Sequence, residues 1–389
     1  MTILLLEMNE LAFMRAASAA TDGLTDYGDE SFREPLRVLI ASIRDEAQLT
    51  PEGLFGWQQG VIRLLGHRLR MQELISKHPE ILDEPIDKPL IMVSMQRTGS
   101  TKLQKVLGCD DYWNAPLFWE TLFPFPFPGE ARGNPKPRID AAHEWTKMFY
   151  TIMPDVMAAH AMVPEETDEE TFAVEMSFRW TVASIYGTIP SYIHWVETHT
   201  AEPTYQDLKR ILQCLQWQRG RRKPWLLKAP WHIGFLDSIM KVFPDATVVQ
   251  CHRDPFESVP SNCGLMYMGR SAGRPTLSKL EHGADVLAMM GREMEMHLKQ
   301  RDALGSKDPT VDVTFRDIVG DAIGVVRKIY AARGQTLDAV AEQRMREWES
   351  ANARHKHGKF EYSAEEYGIT RENVAKAFAE YNKRFAKLN

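Results

Sequence analysis

The chain has 389 residues, of which 44% are hydrophobic and 26% are charged, a balance that is ordinary for a globular protein. Its formal net charge of −6 argues against nucleic acid as the principal partner, because nucleic-acid-binding domains usually carry a basic surplus. None of its four cysteines belongs to a CxxC pair, so neither a zinc knuckle nor a redox pair is indicated. No stretch approaches the roughly 18 apolar residues of a membrane-spanning helix, and the N-terminus lacks a signal-peptide pattern. We therefore expect a cytoplasmic protein without a transmembrane segment.

Residues 1–87 predict a helical N-terminal extension. Apolar residues recur at helical spacing across 31–48 and again across 54–77. Thr50 followed by Pro51 is typical of a helix start, with threonine as the N-cap and proline in the first turn.

An α/β core is expected over 88–335, and it begins with a strand that runs into a polar turn. Residues 88–102 read KPLIMVSMQRTGSTK, an apolar strand followed by a hydroxyl-rich turn that opens a helix. Free backbone N–H groups converge at a helix N-terminus and the helix dipole favours negative charge there, so this turn predicts an anion site.

A second strand, 246–251, leads into Arg253, and Ser261 follows eight residues later. Arginine offers a permanently charged planar fork that suits phosphate. Two anion elements on one sheet indicate a ligand with two separate phosphate-like groups.

Residues 112–222 predict a helical and aromatic insertion in the core. Prolines interrupt 112–138 and exclude a regular helix or a central strand there. Such long aromatic loops in compact domains tend to be functional. Helical patterns resume near 140–162, 168–187 and 203–218.

The rest of the core predicts strands and helices in alternation. Strands are expected near 225–228 and 310–314, and helices near 233–242, 255–265, 279–302 and 317–333. Residues 336–389 predict a C-terminal helical segment packed on the core, with helices near 338–353 and 371–386. The predicted fold is α/β, with a mostly parallel sheet, flanking helices and helical additions at both ends.

Five elements of this chain resemble the sulfotransferases that use 3′-phosphoadenosine-5′-phosphosulfate (PAPS), most closely their bacterial branch. The resemblance covers roughly 88–385, and the elements occur in the family's order. They are Ser94-Met95-Gln96-Arg97-Thr98-Gly99-Ser100-Thr101, the acidic run 164–169, Leu227-Lys228-Ala229-Pro230-Trp231-His232, Arg253-Asp254-Pro255 with Ser261, and Tyr362-Ser363-Ala364-Glu365-Glu366-Tyr367-Gly368. Ser94, Gln96 and Phe315 depart from the family's usual residues, and their effect on cofactor affinity is left open.

The resemblance implies PAPS-dependent sulfuryl transfer to a hydroxyl, or as a second choice an amine, of a small and largely apolar acceptor. The product nucleotide would be 3′-phosphoadenosine-5′-phosphate (PAP), and no metal is implied. The cofactor-binding residues would be Arg97, Thr98, Gly99, Ser100, Thr101, Lys102, Arg253 and Ser261. The aromatic residues Trp113, Phe118, Trp119 and Phe123 would line the acceptor pocket.

Catalysis would involve Arg97, Lys228 and a general base. Lys228 would stabilise the transferring group, and His232, four residues later, is the first candidate for the base because the histidine pKa lies near neutrality. Glu120 is the second candidate, since apolar neighbours could raise the pKa of its carboxyl group. The acidic run 165–170 reads first as a solvated helix start and second as a group near the acceptor. The histidine-rich stretch 355–359 reads as a basic loop.

Two other functions stay open at this stage. A phosphotransferase of the P-loop type would need GxxxxGK[ST], but Ser94 stands at the first glycine and Ser100 at the lysine. A non-catalytic PAP-binding homologue is the other alternative. The identity of the acceptor and the oligomeric state, a homodimer included, are not determined by the sequence.

Overall fold

The computed structural model describes residues 4–352 and 360–388. It contains four parallel strands, β1 (Leu90–Met92), β2 (Leu226–Lys228), β3 (Thr247–His252) and β4 (Thr310–Thr314). They form one sheet in the order β2-β1-β3-β4. Ile91 in the central strand β1 pairs with Leu227 of β2 on one side and with Val248 of β3 on the other. The predicted α/β fold with a parallel sheet is confirmed.

Three helices precede the sheet: α1 (Glu10–Ala19), α2 (Arg33–Asp45) and α3 (Pro51–Lys77). Thr50 caps α3 as predicted, since its hydroxyl oxygen accepts a hydrogen bond of 3.1 Å from the backbone N–H of Gly53. A 3-10 turn, Pro79–Asp83, leads from α3 towards β1.

The long connection from β1 to β2 is helical. It contains α4 (Ser100–Leu107), α5 (Phe118–Leu122), α6 (Lys136–Ile152), α7 (Val156–Ala159), α8 (Thr171–Val174), α9 (Pro190–Thr198) and α10 (Glu202–Arg219). The short helix α5 lies inside the segment for which we expected no regular helix. It fits between Pro116 and Pro124, so no proline interrupts its backbone hydrogen bonds.

Helices also follow each later strand. They are α11 (Leu236–Val242), α12 (Pro255–Gly273), α13 (Lys279–Leu304), α14 (Phe315–Gly320), α15 (Ala322–Ala332), α16 (Ala339–Ala351), α17 (Arg371–Ala377) and α18 (Ala379–Phe385). The single helix predicted near 317–333 is two helices, because the Asp321 side chain accepts from the N–H of Gly324 and starts α15 there. The stretch 355–359 lies outside the described residues.

Alternate residues of the strands point to two separate apolar clusters. Ile91, Leu227 and Val248 belong to the larger cluster, which also contains residues of α12 and α13. Leu90 and Val249 belong to the second cluster, together with residues of α4 and α15. Both faces of the sheet are therefore covered, as is usual for parallel strands.

Within residues 4–352 and 360–388, the structure has no helix that combines the length and the apolar character needed to cross a membrane. The cytoplasmic location, the homodimer and the division into 1–87, 88–335 and 336–389 stay predictions.

Candidate active site

The turn between β1 and α4 has the backbone geometry of an anion site. Arg97 and Gly99 have positive φ angles of 66° and 84°, and Gly99 immediately precedes α4 without providing a side-chain cap. A Cβ atom at Gly99 would lie 2.9 Å from the ring of Phe315, so glycine is required there on two counts. The first N–H groups of α4 have no intrahelical partner. Ser100 and Thr101, which carry two of these groups, line a large cavity.

Two predicted cofactor residues of this turn point elsewhere. The buried Thr98 donates its hydroxyl hydrogen bond to the backbone carbonyl of Met95, at 2.8 Å, so its hydroxyl serves the turn itself. The Lys102 ammonium lies 2.7 Å from the Glu349 carboxylate on α16. Neither side chain lines the cavity, because each one has a partner elsewhere, and a role of the two residues in cofactor binding stays a prediction.

The two predicted anion elements are in direct contact. The Nε–H of Arg97 donates to Oγ of Ser261 at 3.0 Å, and Nη1 of Arg253 donates to the backbone carbonyl of Arg97 at 2.7 Å. The Arg253 guanidinium also lies over the Phe315 ring, 4.1 Å from its centre. Burial lowers the pKa of Arg97, and the nearby charge of Arg253 adds to this effect. A ligand with two phosphate groups would therefore meet one connected cationic surface.

Lys228, at the end of β2, joins this surface to a carboxylate. Its Nζ donates to Oγ1 of Thr101 at 3.0 Å and is ion-paired with Glu169. Its backbone N–H donates to Oε2 of Glu170, also at 3.0 Å. An ammonium and a carboxylate thus lie side by side where the turn borders the cavity.

His232 does not face the cavity, although we expected that it would. Its side chain is 0% exposed, with Nε2 lying 2.6 Å from Oε1 of Glu170 and Nδ1 lying 3.0 Å from the hydroxyl of Tyr205. The 3-10 turn Pro230–His232 brings Trp231 to the cavity and turns the histidine into the core. With both ring nitrogens occupied by buried partners, His232 cannot reach an acceptor directly.

A different histidine lines the cavity. Nε2 of His160 lies 3.5 Å from Oδ1 of Asp168, and both residues border the cavity. Burial alone would lower the pKa of His160, but the charge of Asp168 and the bond to it outweigh burial and raise that pKa. Burial likewise opposes the charge of Asp168, yet His160 holds the pKa of that carboxyl below its usual value. The pair therefore favours an imidazolium next to a carboxylate.

Glu120, the second candidate base, also lies away from the large cavity. Its Oε1 accepts from Nε of Arg219 at 2.8 Å, and its Oε2 accepts from the backbone N–H of Leu117 at 2.9 Å. The carboxylate thus caps α5 and neutralises a partly buried arginine. It borders a smaller cavity of about 430 Å³ instead.

The residues of the predicted aromatic pocket wall also lie away from the large cavity. Trp113 and Trp119 border the smaller cavity, and the indole N–H of Trp113 donates to the Tyr330 hydroxyl at 2.9 Å. Phe118 is fully buried in a satellite core, and Phe123 is partly buried against that same core. None of these four side chains lines the large cavity.

Other residues line that cavity, whose volume is about 710 Å³. Its wall is rich in aromatic rings and methionines that come mainly from α6, the 160–186 segment and α12. Trp145 and Phe149 stack with ring centres 4.8 Å apart and planes 10° apart. The wall includes Trp145, Met148, Phe149, Met162, Phe172 and Met266. The sequence signal was the spacing of positions 145, 148 and 149, which places all three on one face of a helix.

Among the described residues, no group of three or more histidine, cysteine, aspartate or glutamate side chains could hold a metal ion.

Comparison with known proteins gives consistent matches. The profile of the sulfotransferase family matches residues 89–339. Two relatives, both named omega-hydroxy-beta-dihydromenaquinone-9 sulfotransferase Stf3, from Mycobacterium bovis and Mycobacterium tuberculosis, are 23% identical over 314 residues, which is 76% of this chain and 75% of theirs.

Solved structures extend the similarity over almost the whole chain. The crystal structure of sulfotransferase STF9 from Mycobacterium avium superposes with a TM-score of 0.86 and 27% identity, covering 97% of both chains. That of sulfotransferase STF1 from Mycobacterium tuberculosis superposes with a TM-score of 0.80 and 27% identity, covering 96% of this chain and 98% of the other.

Proposed function

Because the chain belongs to the sulfotransferase family and is therefore an enzyme of sulfuryl transfer, we propose that its donor is PAPS and its acceptor a hydroxyl group on a largely apolar molecule. One observation carries the proposal. A single cavity joins the cationic turn at Arg97 to a wall of aromatic rings and methionines. A charged donor and an apolar acceptor would thus meet in one enclosed space, which is what group transfer between them requires.

The donor would bind across the connected cationic surface. Arg97, the N–H groups at the start of α4 and the hydroxyls of Ser100 and Thr101 would hold the 5′-phosphosulfate. Arg253 and Ser261 would hold the 3′-phosphate, because Arg253 follows β3, Ser261 lies on α12, and both contact Arg97 of the turn. The contacts that now join these groups support a site whose cations are positioned before the nucleotide arrives.

Glu169 replaces His232 and Glu120 as the proposed general base. Its carboxylate lies at the cavity beside Lys228, next to the turn that would carry the sulfuryl group. The acceptor oxygen would form a bond to sulfur as the bond from sulfur to the 5′-phosphate oxygen breaks. The proton of the acceptor hydroxyl would pass to Glu169. PAP would leave with the electron pair of the broken bond and therefore with one additional negative charge. Lys228 would stabilise that charge as it develops.

His232 would act as a positioning residue through Glu170. The Glu170 carboxylate bridges the His232 ring and the backbone N–H of Lys228. Fixing Glu170 fixes its neighbour Glu169 opposite the Lys228 ammonium. The histidine thus supports the proposed base without touching the acceptor.

The relatives support an acceptor that is both hydroxylated and apolar. The two Stf3 proteins are named for omega-hydroxy-beta-dihydromenaquinone-9, a hydroxyl-bearing menaquinone derivative. The methionine-rich wall here fits that chemistry, because methionine adapts to flexible apolar ligands. An amine acceptor is the second choice.

A thermal-shift comparison of PAP with ATP tests the proposal. PAP without added metal should raise the melting temperature more than Mg-ATP does, since a ligand that binds only the native state stabilises it by mass action. Equal or larger stabilisation by Mg-ATP would favour a phosphotransferase instead. Tight PAP binding without sulfation of any hydroxylated apolar acceptor would favour a non-catalytic PAP-binding protein.

A further inference from the structure

Two helices face each other across the acceptor half of the cavity. The α3 face presents Gly56, Gln59, Gly60 and Arg63, which have the i, i+3, i+4, i+7 spacing of one helical stripe. The α12 face presents Asn262, Leu265, Met266 and Gly269 with the same spacing. The acceptor would therefore lie between two helices.

The two helices touch at one end and separate along the cavity. A Cβ atom at Gly53 of α3 would lie 2.6 Å from the backbone of Gly273 at the end of α12. Beyond that contact, a Cβ atom at Gly56 or at Gly60 would meet nothing within 4 Å. The glycines thus leave open space directly above the backbone of α3. Both lie inside a helix, where glycine is unfavourable relative to alanine, so local helix stability does not explain them.

A buried polar cluster borders this cleft. The Tyr186 hydroxyl donates to Oε1 of Glu175 at 3.1 Å, and Nη2 of Arg63 lies 3.7 Å from Oε2 of Glu175. The Glu175 side chain is only 5% exposed. Nevertheless its Oε2 and Nη1 of Arg63 have no hydrogen-bond partner within residues 4–352 and 360–388. Beyond this ion pair, a buried carboxylate oxygen and a buried guanidinium nitrogen without hydrogen bonds are costly unless a ligand or an ordered water satisfies them.

Along α12, the cluster lies away from the point where that helix contacts the Arg97 turn. Ser261 of α12 contacts Arg97 of the turn, whereas Gly269 approaches Ile185, the residue before Tyr186. Eight residues of α-helix separate these two points, which corresponds to roughly 12 Å along the axis. The wall of the cavity between them is largely apolar.

We propose that Arg63, Glu175 and Tyr186 form a subsite for a second hydroxyl group of the acceptor, which reaches it through a long apolar body lying between α3 and α12. A hydroxyl suits both atoms, because it can donate one hydrogen bond to Oε2 of Glu175 and accept another from Nη1 of Arg63. This inference rests on the proposed function, in which the first hydroxyl receives the sulfuryl group. It adds that the acceptor is an elongated amphiphile with a polar group at each end.

Binding of alcohols to the PAP-saturated protein tests the subsite without requiring turnover. The probes are 1-alkanols, α,ω-alkanediols and α,ω-alkanediol monomethyl ethers, each in a series of increasing chain length, with dissociation constants from calorimetry. At one chain length the diol should bind about tenfold more tightly than the alkanol, the effect of one hydrogen bond to a charged group. The monomethyl ether, whose blocked end accepts but cannot donate, should lose most of that preference.

Variants assign the preference to the cluster. Glu175→Leu and Arg63→Met should abolish the diol preference because both remove hydrogen-bonding groups, whereas Arg70→Met, on the same helix but outside the cavity, should retain it. PAP affinity should be unchanged in all three proteins, which reports that the nucleotide site is folded.

The outcomes separate this subsite from the proposed function. Equal binding of diol and alkanol at every length, a preference that survives in both cavity variants, or no binding of any probe would overturn the subsite. A diol preference without any sulfated product would count against the proposed reaction alone.

Discussion

The Glu175 carboxyl should make the stability of the native protein depend on pH. Burial raises its pKa from 4.5 to about 7, an effect that Arg63 and the hydroxyl of Tyr186 only partly oppose. Below the unfolded pKa, both the native and the unfolded states hold the proton and no free energy is lost. As the pH rises from 4.5 towards 7, the unfolded state ionises first, so the free energy of unfolding falls. Above the native pKa, the full penalty is present.

The loss in the free energy of unfolding at high pH follows from the difference between the native and the unfolded pKa of Glu175. A difference of 7 − 4.5, or 2.5 pKa units, corresponds to about 3 kcal/mol. Glutamine resembles the protonated carboxyl and can still accept the hydrogen bond from Tyr186. Glu175→Gln should therefore unfold like the wild type at about pH 4, and should be about 3 kcal/mol more stable at about pH 8.

Urea unfolding at a series of pH values measures this difference. Glu144→Gln, which changes an exposed carboxylate on α6, is the matched control and should show no such pH-dependent gain. A stability difference between Glu175→Gln and the wild type that is the same at low and high pH would refute the reasoning. It would mean that the native carboxyl is not held neutral by burial.

Three further predictions concern the donor site, the base and the cleft. Arg253→Ala should weaken PAP binding by about 2 kcal/mol, the effect of a lost charge-assisted contact, and should weaken adenosine 5′-phosphosulfate much less because that ligand lacks the 3′-phosphate. Glu169→Gln should lower kcat by about 10²- to 10⁴-fold with PAP affinity nearly intact, whereas His232→Ala should lower it less, because it acts only on the placement of the base. Gly60→Ala should raise the free energy of unfolding by about 1 kcal/mol, since alanine is the better helix former and its methyl group meets open space.

Each of these predictions has a clear contrary result. Equal losses for PAP and adenosine 5′-phosphosulfate would mean that Arg253 does not bind the 3′-phosphate. Full activity of Glu169→Gln, together with loss of activity in His160→Gln, would assign the base to the other polar pair at the cavity. A destabilised Gly60→Ala protein would show that the space above α3 is not open.

The local structure of the proposed donor half of the site was largely predictable from the sequence, because its elements are close together in the chain. A strand, a turn and a helix start are contiguous in the chain, so the pattern around Arg97 and Gly99 indicates both a structure and an anion site. Arg253 directly follows the end of β3, and Ser261 lies on α12, the helix that comes next in the chain. Even here, the side chains of Thr98 and Lys102 could not be placed, because their partners depend on packing and on the distant helix α16.

The proposed acceptor half was not predictable from the sequence, because it depends on contacts between distant segments. His232 follows a strand end, as an active-site residue should, but a 3-10 turn directs its ring towards Tyr205. Glu120 follows Phe118 and Trp119, a sequence that suggested a base in an apolar pocket. In the structure, Arg219, 99 residues later, neutralises its carboxylate. The periodicity of apolar residues indicates which residues share a face of a helix, but it does not indicate which cavity that face borders.

The proposed donor contacts lie mainly at strand ends and the proposed acceptor contacts on surrounding helices, and this division has an evolutionary consequence. Apart from Ser261 on α12, every proposed donor contact lies at or just beyond the end of β1, β2 or β3, where the buried sheet constrains replacement. The proposed acceptor contacts come from α3, α6, the 160–186 segment and α12, which can vary while the sheet is retained. Relatives could thus diverge in the molecules they modify and keep one donor. Exchanging α3, residues 145–186 and residues 262–269 together between this chain and a relative should transfer acceptor preference.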